Sequence, residues 1–421
     1  MPAGLAPMYP SSSYRSAQMP LSDLPSISHP AWVEVDLAAL IHNAGVLRRT
    51  IPAEARLGLL VKANGYGHGL LMAARAAIAA GTDQLGVANL DEGLALRRAS
   101  VAAPILIVYP IAPASIGEAV EAGLELTVSG LDSTRRTLEA WAALARAAPA
   151  GLLNLHVEVD TGMGRGGVAP EALIDVLRLI DATRETRLAG IWSHLADGSD
   201  ADRSRQQTQR FEGAVASIAA TGRAVPMRHL ATTEGIFAGT APAYEMVRVG
   251  LGFYGELGLG FRPAPAHAAA ASELRPALTL KARPVRLGWL PAGASVGYGG
   301  EWTTDRPSLI ATLPLGYADG WTRAYWPGAT ALLRGRHVPL VGRVSMDSVC
   351  ADVTDAAESG EVTLADELVL LGGQGSERIT ANELARLRGS IPNEVLSTIG
   401  PRLPRVYLGA AALESNAGIG P

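Results

Sequence analysis

Short apolar runs alternate with segments of helical period over the first half of the chain, and Gly, Pro or Asp turn signals bound each run. Runs this apolar are typical of parallel strands that are covered on both faces. Eight strand–helix units in about 200 residues predict a (β/α)8, TIM-like barrel, with an open doubly wound sheet as the competing topology. The eight candidate strands are LGLLVKA (57–63), QLGVANL (84–90), ILIVYPI (105–111), LELTVSG (124–130), LNLHVEVD (153–160), LAGIWSHL (188–195), MRHLATT (227–233) and MVRVGLG (246–252).

The pattern changes after about residue 265. An Ala-rich stretch leads into strand-like runs with closely spaced turn signals, and helical period is scarce until residues 380–390. This change indicates a second, mostly β domain. The predicted organisation is a disordered extension (1–30), a barrel domain (31–268), a β domain (269–409) and a flexible tail (410–421).

Composition and charge exclude several classes of protein. Hydrophobic residues make up 48% of the 421 residues and charged residues 18%, which is typical of a globular protein with a large core. The formal net charge of −4 and the scattered basic residues give no footprint for nucleic acid or an acidic membrane surface. The first 30 residues lack the apolar stretch of a secretory signal, and no run of about 18 apolar residues predicts a membrane span.

The chain has a single cysteine, Cys350. An intramolecular disulfide and a Cys-based metal cluster are therefore excluded, and no metal site is predicted. The thiol fits a small buried side chain, and the low cysteine content fits a cytoplasmic location.

Lys62 stands in the segment VKANGYGHG (61–69), directly after the first apolar run. A lysine at this point would lie at the C-terminal rim of a barrel, where catalytic groups collect. A lysine in a partly dry pocket has a lowered pKa and can form a Schiff base. An ordinary solvated lysine at a strand end is the alternative.

A second segment, HVEVDTGMGRGGV (156–168), contains the spacing G-x-G-x-x-G after a strand. A dinucleotide fingerprint needs a following strand that ends in an acidic residue about 20 residues on. The available acid, Asp181, lies in a stretch of helical period. The sequence therefore disfavours NAD binding here.

These segments resemble the alanine racemases, a family of pyridoxal 5′-phosphate (PLP)-dependent, fold-type III amino-acid racemases, over about residues 32–407. The resemblance implies that Lys62 holds PLP as a Schiff base and exchanges the Cα proton of the D-enantiomer. Tyr298, in SVGYGGEW (295–302), would act on the L-enantiomer's face, tuned by a neighbour such as His194. Tyr298 would come from the partner subunit of a homodimer with shared active sites.

The resemblance also implies the reaction and its place in the cell. L-alanine and D-alanine would interconvert through a PLP external aldimine by two-base proton transfer. The products would supply D-alanine for peptidoglycan or serve alanine catabolism.

Further cofactor contacts follow from the same resemblance. His194 would stack on the pyridine ring, Arg248 would donate to the ring nitrogen, and His229 would have a supporting role. Because arginine stays protonated, the nitrogen stays an acceptor and PLP is a weaker electron sink, which favours racemisation over side reactions. The implied phosphate contacts are Tyr66, Thr233 (a serine in the family), Gly250 and Leu251.

The implied substrate contacts come from both predicted domains. Arg165 would reach the phenolic oxygen of PLP and the substrate carboxylate, for which its planar fork is suited. Tyr317 would narrow the entrance. Met346, through its backbone amide, and Asp347 would belong to the loop that binds the substrate carboxylate.

Two positions depart from the family pattern. Glu158 stands where many members have a carbamylated lysine, and we predict a Glu158–Arg165 contact without carbamylation. Asn393 stands where the family has a tyrosine, and its smaller polar side chain predicts better acceptance of serine. A broader or serine-preferring racemase is therefore the alternative function.

Two other classes stay open on sequence alone. A PLP decarboxylase is disfavoured because Arg248 stands where an acid would be expected. A non-catalytic PLP-binding protein is disfavoured by the second domain and its segments SVGYGG and VGRVSMD.

Overall fold

The computed structural model describes residues 29–147 and 151–416. The eight apolar runs form eight parallel strands that close into a barrel. Each strand pairs with the next in sequence, and the last pairs with the first, which confirms the (β/α)8 barrel over the open sheet. The barrel strands are β2 (Arg56–Leu60), β3 (Gln84–Val87), β4 (Ile105–Ile107), β5 (Glu125–Val128), β6 (Leu153–Glu158), β7 (Thr186–Trp192), β8 (Met227–His229) and β9 (Met246–Val249).

Helices follow the barrel strands and cover them from outside. All residues of β3 and β9 are buried, which is why these runs carry no alternating polar face. Side-chain caps begin several helices. Asn89 accepts from the amide of Glu92 at the start of α4, and Asp200 accepts from the amides of Asp202 and Arg203 at the start of α8. The helices of this half are α1 (Leu37–Thr50), α2 (Lys62–Tyr66), α3 (Leu70–Ala79), α4 (Leu90–Arg98), α5 (Ile116–Glu121), α6 (Leu131–Ala147), α7 (Leu173–Ala182), α8 (Ala201–Ala220), α9 (Thr233–Ala238) and α10 (Ala268–Ser272).

The second half of the chain contributes nine strands to a ten-stranded sheet, which confirms the mostly β character expected after the barrel. Its strands include β10 (Leu278–Ala282), β11 (Arg286–Leu290), β14 (Ser308–Leu313), β15 (Thr330–Leu333), β16 (Arg336–Val341), β17 (Val349–Asp352), β18 (Leu368–Gln374), β19 (Glu377–Ile379) and β20 (Arg405–Leu408). A separate ribbon pairs β12 (Ser295–Val296) with β13 (Trp302–Thr303). The helices here are α11 (Thr354–Ala357), α12 (Ala381–Arg388), α13 (Pro392–Ser397) and α14 (Ala411–Asn416).

The strand β1 (Ala31–Asp36) lies outside the barrel, although the predicted barrel domain begins with it. It pairs antiparallel with β10 and parallel with β20, so that Val33 lies opposite both Leu280 and Arg405. The second sheet is therefore built from both ends of the described chain. The predicted boundary at 268/269 falls within the helix α10.

The chain ends also differ from the predicted organisation. The helix α14 lies inside the predicted flexible tail, and it packs against α1 and α3. The predictions for residues 1–28 and 417–421 fall outside the described residues. Within the described ranges, none of the helices combines the length and apolar character needed to cross a bilayer.

Candidate active site

Lys62 and Arg165 face the same aromatic ring at the C-terminal rim of the barrel. The ring of Tyr109 lies 5.8 Å from Nζ of Lys62 and 5.5 Å from Cζ of Arg165. Both contacts are within the range of a cation–π interaction. Tyr109 follows β4, and the sequence analysis missed it because it noted the run ILIVYPI only as a strand. The structure therefore brings two predicted site residues together around an unpredicted third.

The amine of Lys62 has a lowered pKa. Burial is the largest cause, and the charges of Arg165 and Arg248 add to it, while Glu92 acts in the opposite direction. A lowered pKa increases the fraction of neutral amine, which is the form that attacks a carbonyl carbon. The environment of Lys62 therefore suits Schiff-base chemistry.

The segment α2 is a left-handed turn. Ala63, Asn64, Gly65 and Tyr66 have φ angles of 53°, 54°, 62° and 49°. This conformation costs roughly 1–2 kcal/mol for each residue other than glycine. The side chains of Asn64 and Glu92 help to hold it by accepting from the amides of Leu70 (3.0 Å) and Ala63 (2.7 Å). The strain is typical of a backbone that a functional site requires.

The turn places Tyr66 beside the ends of the last two barrel strands. Its ring stacks on Tyr254 at 4.8 Å, and its hydroxyl lies so close to Gly250 that a Cβ there would be 2.4 Å from it. Oγ1 of Thr233 accepts from the amide of Gly252 at 3.2 Å. Leu251, which lies between Gly250 and Gly252 in the sequence, is also buried. The predicted phosphate contacts therefore converge at the usual phosphate position of such barrels.

Burial raises the pKa of Tyr66 to about 12. Its hydroxyl therefore stays protonated over the physiological pH range. It is available as a hydrogen-bond donor to an anion.

Arg248 is buried and surrounded by uncharged acceptors. Nη1 donates to Nδ1 and to the backbone oxygen of His229 at 2.9 and 2.8 Å, and Nη2 donates to the backbone oxygen of Ser193 at 2.7 Å. The guanidinium also lies 4.5 Å from the ring of Trp192. In the described part of the chain, no carboxylate forms a salt bridge with it. Burial lowers the pKa of Arg248 to about 9, so it remains protonated at neutral pH.

A line of polar side chains continues from Arg248 across the barrel interior. Because Nδ1 of His229 accepts from Arg248, its Nε2 carries the proton and donates to Nδ1 of His156 at 3.0 Å. Nε2 of His156 then donates to Glu125 at 2.8 Å, and Gln84 donates to the same oxygen at 2.6 Å. Sequence reasoning missed His156, Glu125 and Gln84. Their signal was polar residues within otherwise apolar barrel strands.

His194 lies beside Arg248, with Nδ1 3.4 Å from Nη2. Burial, together with the charges of Arg248, Arg165 and Lys62, lowers the pKa of His194 to about 3. The ring is therefore neutral at physiological pH.

Glu158 is buried near Arg165, but no salt bridge joins them in the residues described. Burial raises the pKa of Glu158, and the charges of Arg165 and Arg248 and a hydrogen bond from Ser129 oppose this increase. Arg165 and Arg248 act on the carboxyl group of Glu158 electrostatically, and the predicted Glu158–Arg165 contact stays a prediction.

The backbone amides of the glycine-rich loop after β6 donate to the carboxylate of Asp160, which belongs to the same loop. Oδ1 of Asp160 accepts from the amides of Gly162, Met163 and Gly164 at 2.9, 3.0 and 3.1 Å. Amides that bind an internal anion are not free to bind a pyrophosphate. This geometry agrees with the sequence-based argument against a dinucleotide site.

The remaining predicted residues form a second group in the β half. Tyr298 is 71% exposed, and no hydrogen bond, ion pair or ring contact within the described chain joins it to Lys62 or His194. The amide of Tyr317 donates to the oxygen of Ser345 at 3.1 Å, which places Tyr317 beside Met346 and Asp347. Asp347 forms a salt bridge with Arg402 at 2.7 Å.

Asn393 lies on α13, which packs against the left-handed turn α2. The turn carries Lys62 and Tyr66, so the helix of Asn393 packs at the barrel-rim side of the site. One chain therefore supplies one group of site residues at the barrel rim and another in the β half. No hydrogen bond or ion pair among the described residues joins Lys62 of the first group to Tyr298 of the second.

Comparisons with known proteins agree with this arrangement. The sequence profiles of the alanine racemase N-terminal and C-terminal domains match residues 35–258 and 277–407. An alanine racemase of Symbiobacterium thermophilum is 39% identical over 391 residues, which cover 91% of this chain and 98% of that protein. A crystal structure of alanine racemase from Bacillus anthracis, with bound L-Ala-P, has a TM-score of 0.82 at 30% identity and covers 91% of this chain and 96% of its own.

A histidine racemase from Leuconostoc mesenteroides has a TM-score of 0.79 at 26% identity, and it covers 91% of this chain and 99% of its own. This architecture therefore also occurs in a racemase named for another amino acid. The two profile matches and the 39% identity are both to alanine racemases and extend over nearly the whole chain. The chain belongs to the alanine racemase family.

Proposed function

We propose that this protein is a PLP-dependent alanine racemase, an isomerase that interconverts L-alanine and D-alanine. The observation that carries the proposal is Lys62 at the barrel rim, where it shares the ring of Tyr109 with Arg165 and where burial and the charges of Arg165 and Arg248 lower its pKa. The relatives that cover nearly the whole chain are named alanine racemases, which favours alanine over the serine-preferring alternative.

The hydrogen-bond donors of the site, two arginines and a tyrosine hydroxyl, suit the anionic groups of PLP. Two guanidinium groups, those of Arg165 and Arg248, act on both Lys62 and the carboxyl group of Glu158 at the site. The excess positive charge suits a phosphate and a phenolic oxygen. The Tyr66 hydroxyl, which lies against Gly250, would hold the phosphate, and Arg248 would donate to the ring nitrogen. When bound, PLP supplies the electron sink that makes the Cα proton of an amino acid acidic.

The proton transfers would belong to two groups on opposite faces of Cα. Lys62 would remove or return the proton on one face. Tyr298 of the partner subunit would do so on the other, since no hydrogen bond, ion pair or ring contact among the described residues joins this chain's own Tyr298 to Lys62. Arg165 would bind the substrate carboxylate, with Glu158 limiting the positive charge around it.

A homodimer with shared active sites completes this arrangement. It is supported by the exposure of apolar site residues on the β half, where Tyr298 is 71% exposed and Met346 52% exposed. Large exposed apolar side chains in one region are typical of an interface. Sedimentation or light scattering measures the oligomeric state. A monomer with full activity would contradict the proposal that two subunits share each active site.

The proposed function is tested by chiral chromatography of products from L-alanine and from a panel of other L-amino acids, with added PLP. We expect D-alanine to form fastest, and Lys62→Ala to abolish its formation. Release of CO2 instead would indicate a decarboxylase. A wild-type protein that binds PLP but forms no D-amino acid would overturn the proposal.

A further inference from the structure

Arg405, in β20, donates only to backbone carbonyls. Nε and Nη2 donate to the oxygen of Gly67 at 3.1 and 3.0 Å. Nη1 donates to the oxygens of Gly400 and Leu403 at 2.5 and 2.7 Å, and Nη2 also donates to that of Ile399 at 2.8 Å. The described residues include no carboxylate in a salt bridge with it. One guanidinium therefore joins four carbonyl groups across the junction of the two halves.

The carbonyl of Gly67 belongs to the end of the left-handed turn. The amide of Gly67 donates to the oxygen of Ala63 at 3.1 Å, which closes the turn. The other three carbonyls follow α13, and a Cβ on Gly67 would lie 2.2 Å from the oxygen of Leu396 in that helix. The turn that carries Lys62 is thus pressed against α13 and fixed there by Arg405.

This fixing matters because the turn is strained. Ala63, Asn64 and Tyr66 hold a backbone conformation that is unfavourable for residues with a Cβ. Such a conformation persists only where the surroundings determine it. Asn64 and Glu92 hold the turn from the barrel side, and Arg405 holds it from the β half.

We propose that Arg405 is a positioning residue that sets Lys62 and Tyr66 relative to the β half by binding the Gly67 carbonyl. The proposal rests on the proposed function, since it concerns the placement of the cofactor lysine. Arginine suits this role because its planar fork offers five donors in fixed directions, which lysine lacks.

Arg97 is a matched control at the opposite end of the barrel. It also donates to four carbonyls, those of Ala122, Val101, Ala103 and Gly123. These carbonyls precede β4 and β5, whereas Lys62 follows β2. Burial lowers the pKa of both arginines. Removing Arg97 therefore removes similar hydrogen bonds without touching the turn.

The chain offers a direct probe of Lys62, because it contains only two lysines. Lys281 is held in salt bridges with Glu34 and Glu367 at 2.9 and 3.3 Å and serves as an internal reference. The rate at which an amine reagent labels each lysine can be followed by peptide mass spectrometry as a function of pH. This measurement needs no cofactor.

The experiment compares full-length Arg405→Gln and Arg97→Gln with the wild type. We expect both variants to lower Tm. We expect only Arg405→Gln to raise the Kd for PLP at least tenfold and to move the pH midpoint of Lys62 labelling upward. Arg405→Lys, which keeps the charge but loses the fork, should weaken PLP binding as well, and it replaces the glutamine variant if that one does not fold.

Two outcomes separate the failure of this proposal from failure of the proposed function. If Arg405→Gln leaves both the PLP Kd and the Lys62 labelling profile unchanged, or if Arg97→Gln changes them equally, Arg405 has only a structural role. If the wild type itself binds no PLP, the proposed function fails, while the labelling profile still tests the placement of Lys62.

Discussion

Nδ1 of His229 accepts a hydrogen bond from Nη1 of Arg248 at 2.9 Å. This contact sets the direction of the hydrogen bonds that follow, through His156 to Glu125. His229, whose pKa is held well below its usual value, is a neutral ring with the proton on Nε2. The carboxylate of Glu125 is the anionic end of a line whose cationic end is Arg248.

Replacing Glu125 removes the negative end of this line. Burial raises the pKa of Glu125, but hydrogen bonds from His156 and Gln84 and the charge of Arg187 outweigh it, so the pKa is lowered and the group is a carboxylate at neutral pH. A hydrogen bond to a charged group contributes about 1.5–3 kcal/mol. We therefore expect Glu125→Gln to lower kcat/KM for L-alanine about tenfold or more.

The control for this variant is Glu121→Gln, because Glu121 is exposed at the end of α5. Its kinetics should match those of the wild type. Wild-type kcat/KM in Glu125→Gln would show that the line carries no catalytic effect.

The site residues found from sequence differ from those that were missed in how far along the chain their partners lie. Lys62 could be placed from one segment, because a strand end in a parallel barrel fixes its position. The line from Glu125 to His229 joins three strands, over 31 and 73 residues, and no local pattern reports such pairs. The bond from Arg405 to Gly67 spans 338 residues.

The strand β1 illustrates the same limit for the fold. Its apolar residues gave no preference between the barrel and the second sheet. Its pairing with β10 and β20 places it in the second sheet. Local sequence could not predict this pairing, because both strands are far away in sequence.

Buried neutral histidines predict a loss of stability in mild acid. Burial lowers the pKa of His68 to about 4 and that of His194 to about 3, and it holds the pKa of His229 well below its usual value. In the unfolded chain these rings have a pKa near 6.5, so between about pH 6.5 and 4 the unfolded state binds more protons. The free energy of unfolding should therefore fall with decreasing pH, by up to about 1.4 kcal/mol per pH unit for each histidine.

Urea unfolding of the PLP-free protein at pH 7.5, 6.5 and 5.5 measures this dependence. The contribution of one ring is isolated by His68→Asn, whose amide can donate to the carbonyls of Gly65 and Tyr66 that His68 Nδ1 contacts. That variant should show a shallower dependence on pH. Equal slopes for the variant and the wild type would contradict the assignment for His68.

The aromatic ring of Tyr109 should contribute more to kcat/KM than its hydroxyl group. The ring faces both Lys62 and Arg165, and each cation–π contact contributes about 0.5–1 kcal/mol. We expect Tyr109→Ala to lower kcat/KM for alanine about tenfold and Tyr109→Phe to leave it nearly unchanged. Steady-state kinetics with both enantiomers of alanine measure this, and equal losses in the two variants would assign the effect to the hydroxyl instead.

Glu158 should make the enzyme independent of CO2. Its own carboxylate interacts with Arg165 and Arg248, so no carbamylated lysine is needed to supply that charge. We expect the intact mass to be that of the unmodified chain, and activity to be the same in degassed and bicarbonate-containing buffer. Glu158→Gln should lower kcat/KM, and bicarbonate should not restore it. Activity of the wild type that depends on bicarbonate would refute this prediction.

Asn393 should widen the range of accepted side chains. It lies on α13, against the turn that carries Lys62 and Tyr66, and it is smaller than the tyrosine expected at this position. A shorter polar side chain leaves space and offers hydrogen-bond partners to a hydroxymethyl group.

We expect alanine to remain the better substrate. We also expect Asn393→Tyr to lower kcat/KM for L-serine relative to L-alanine by about tenfold, which corresponds to about 1.4 kcal/mol. Asn393→Ala separates the two causes, because it keeps the space but removes the amide. If neither variant changes the serine-to-alanine ratio, Asn393 does not determine specificity.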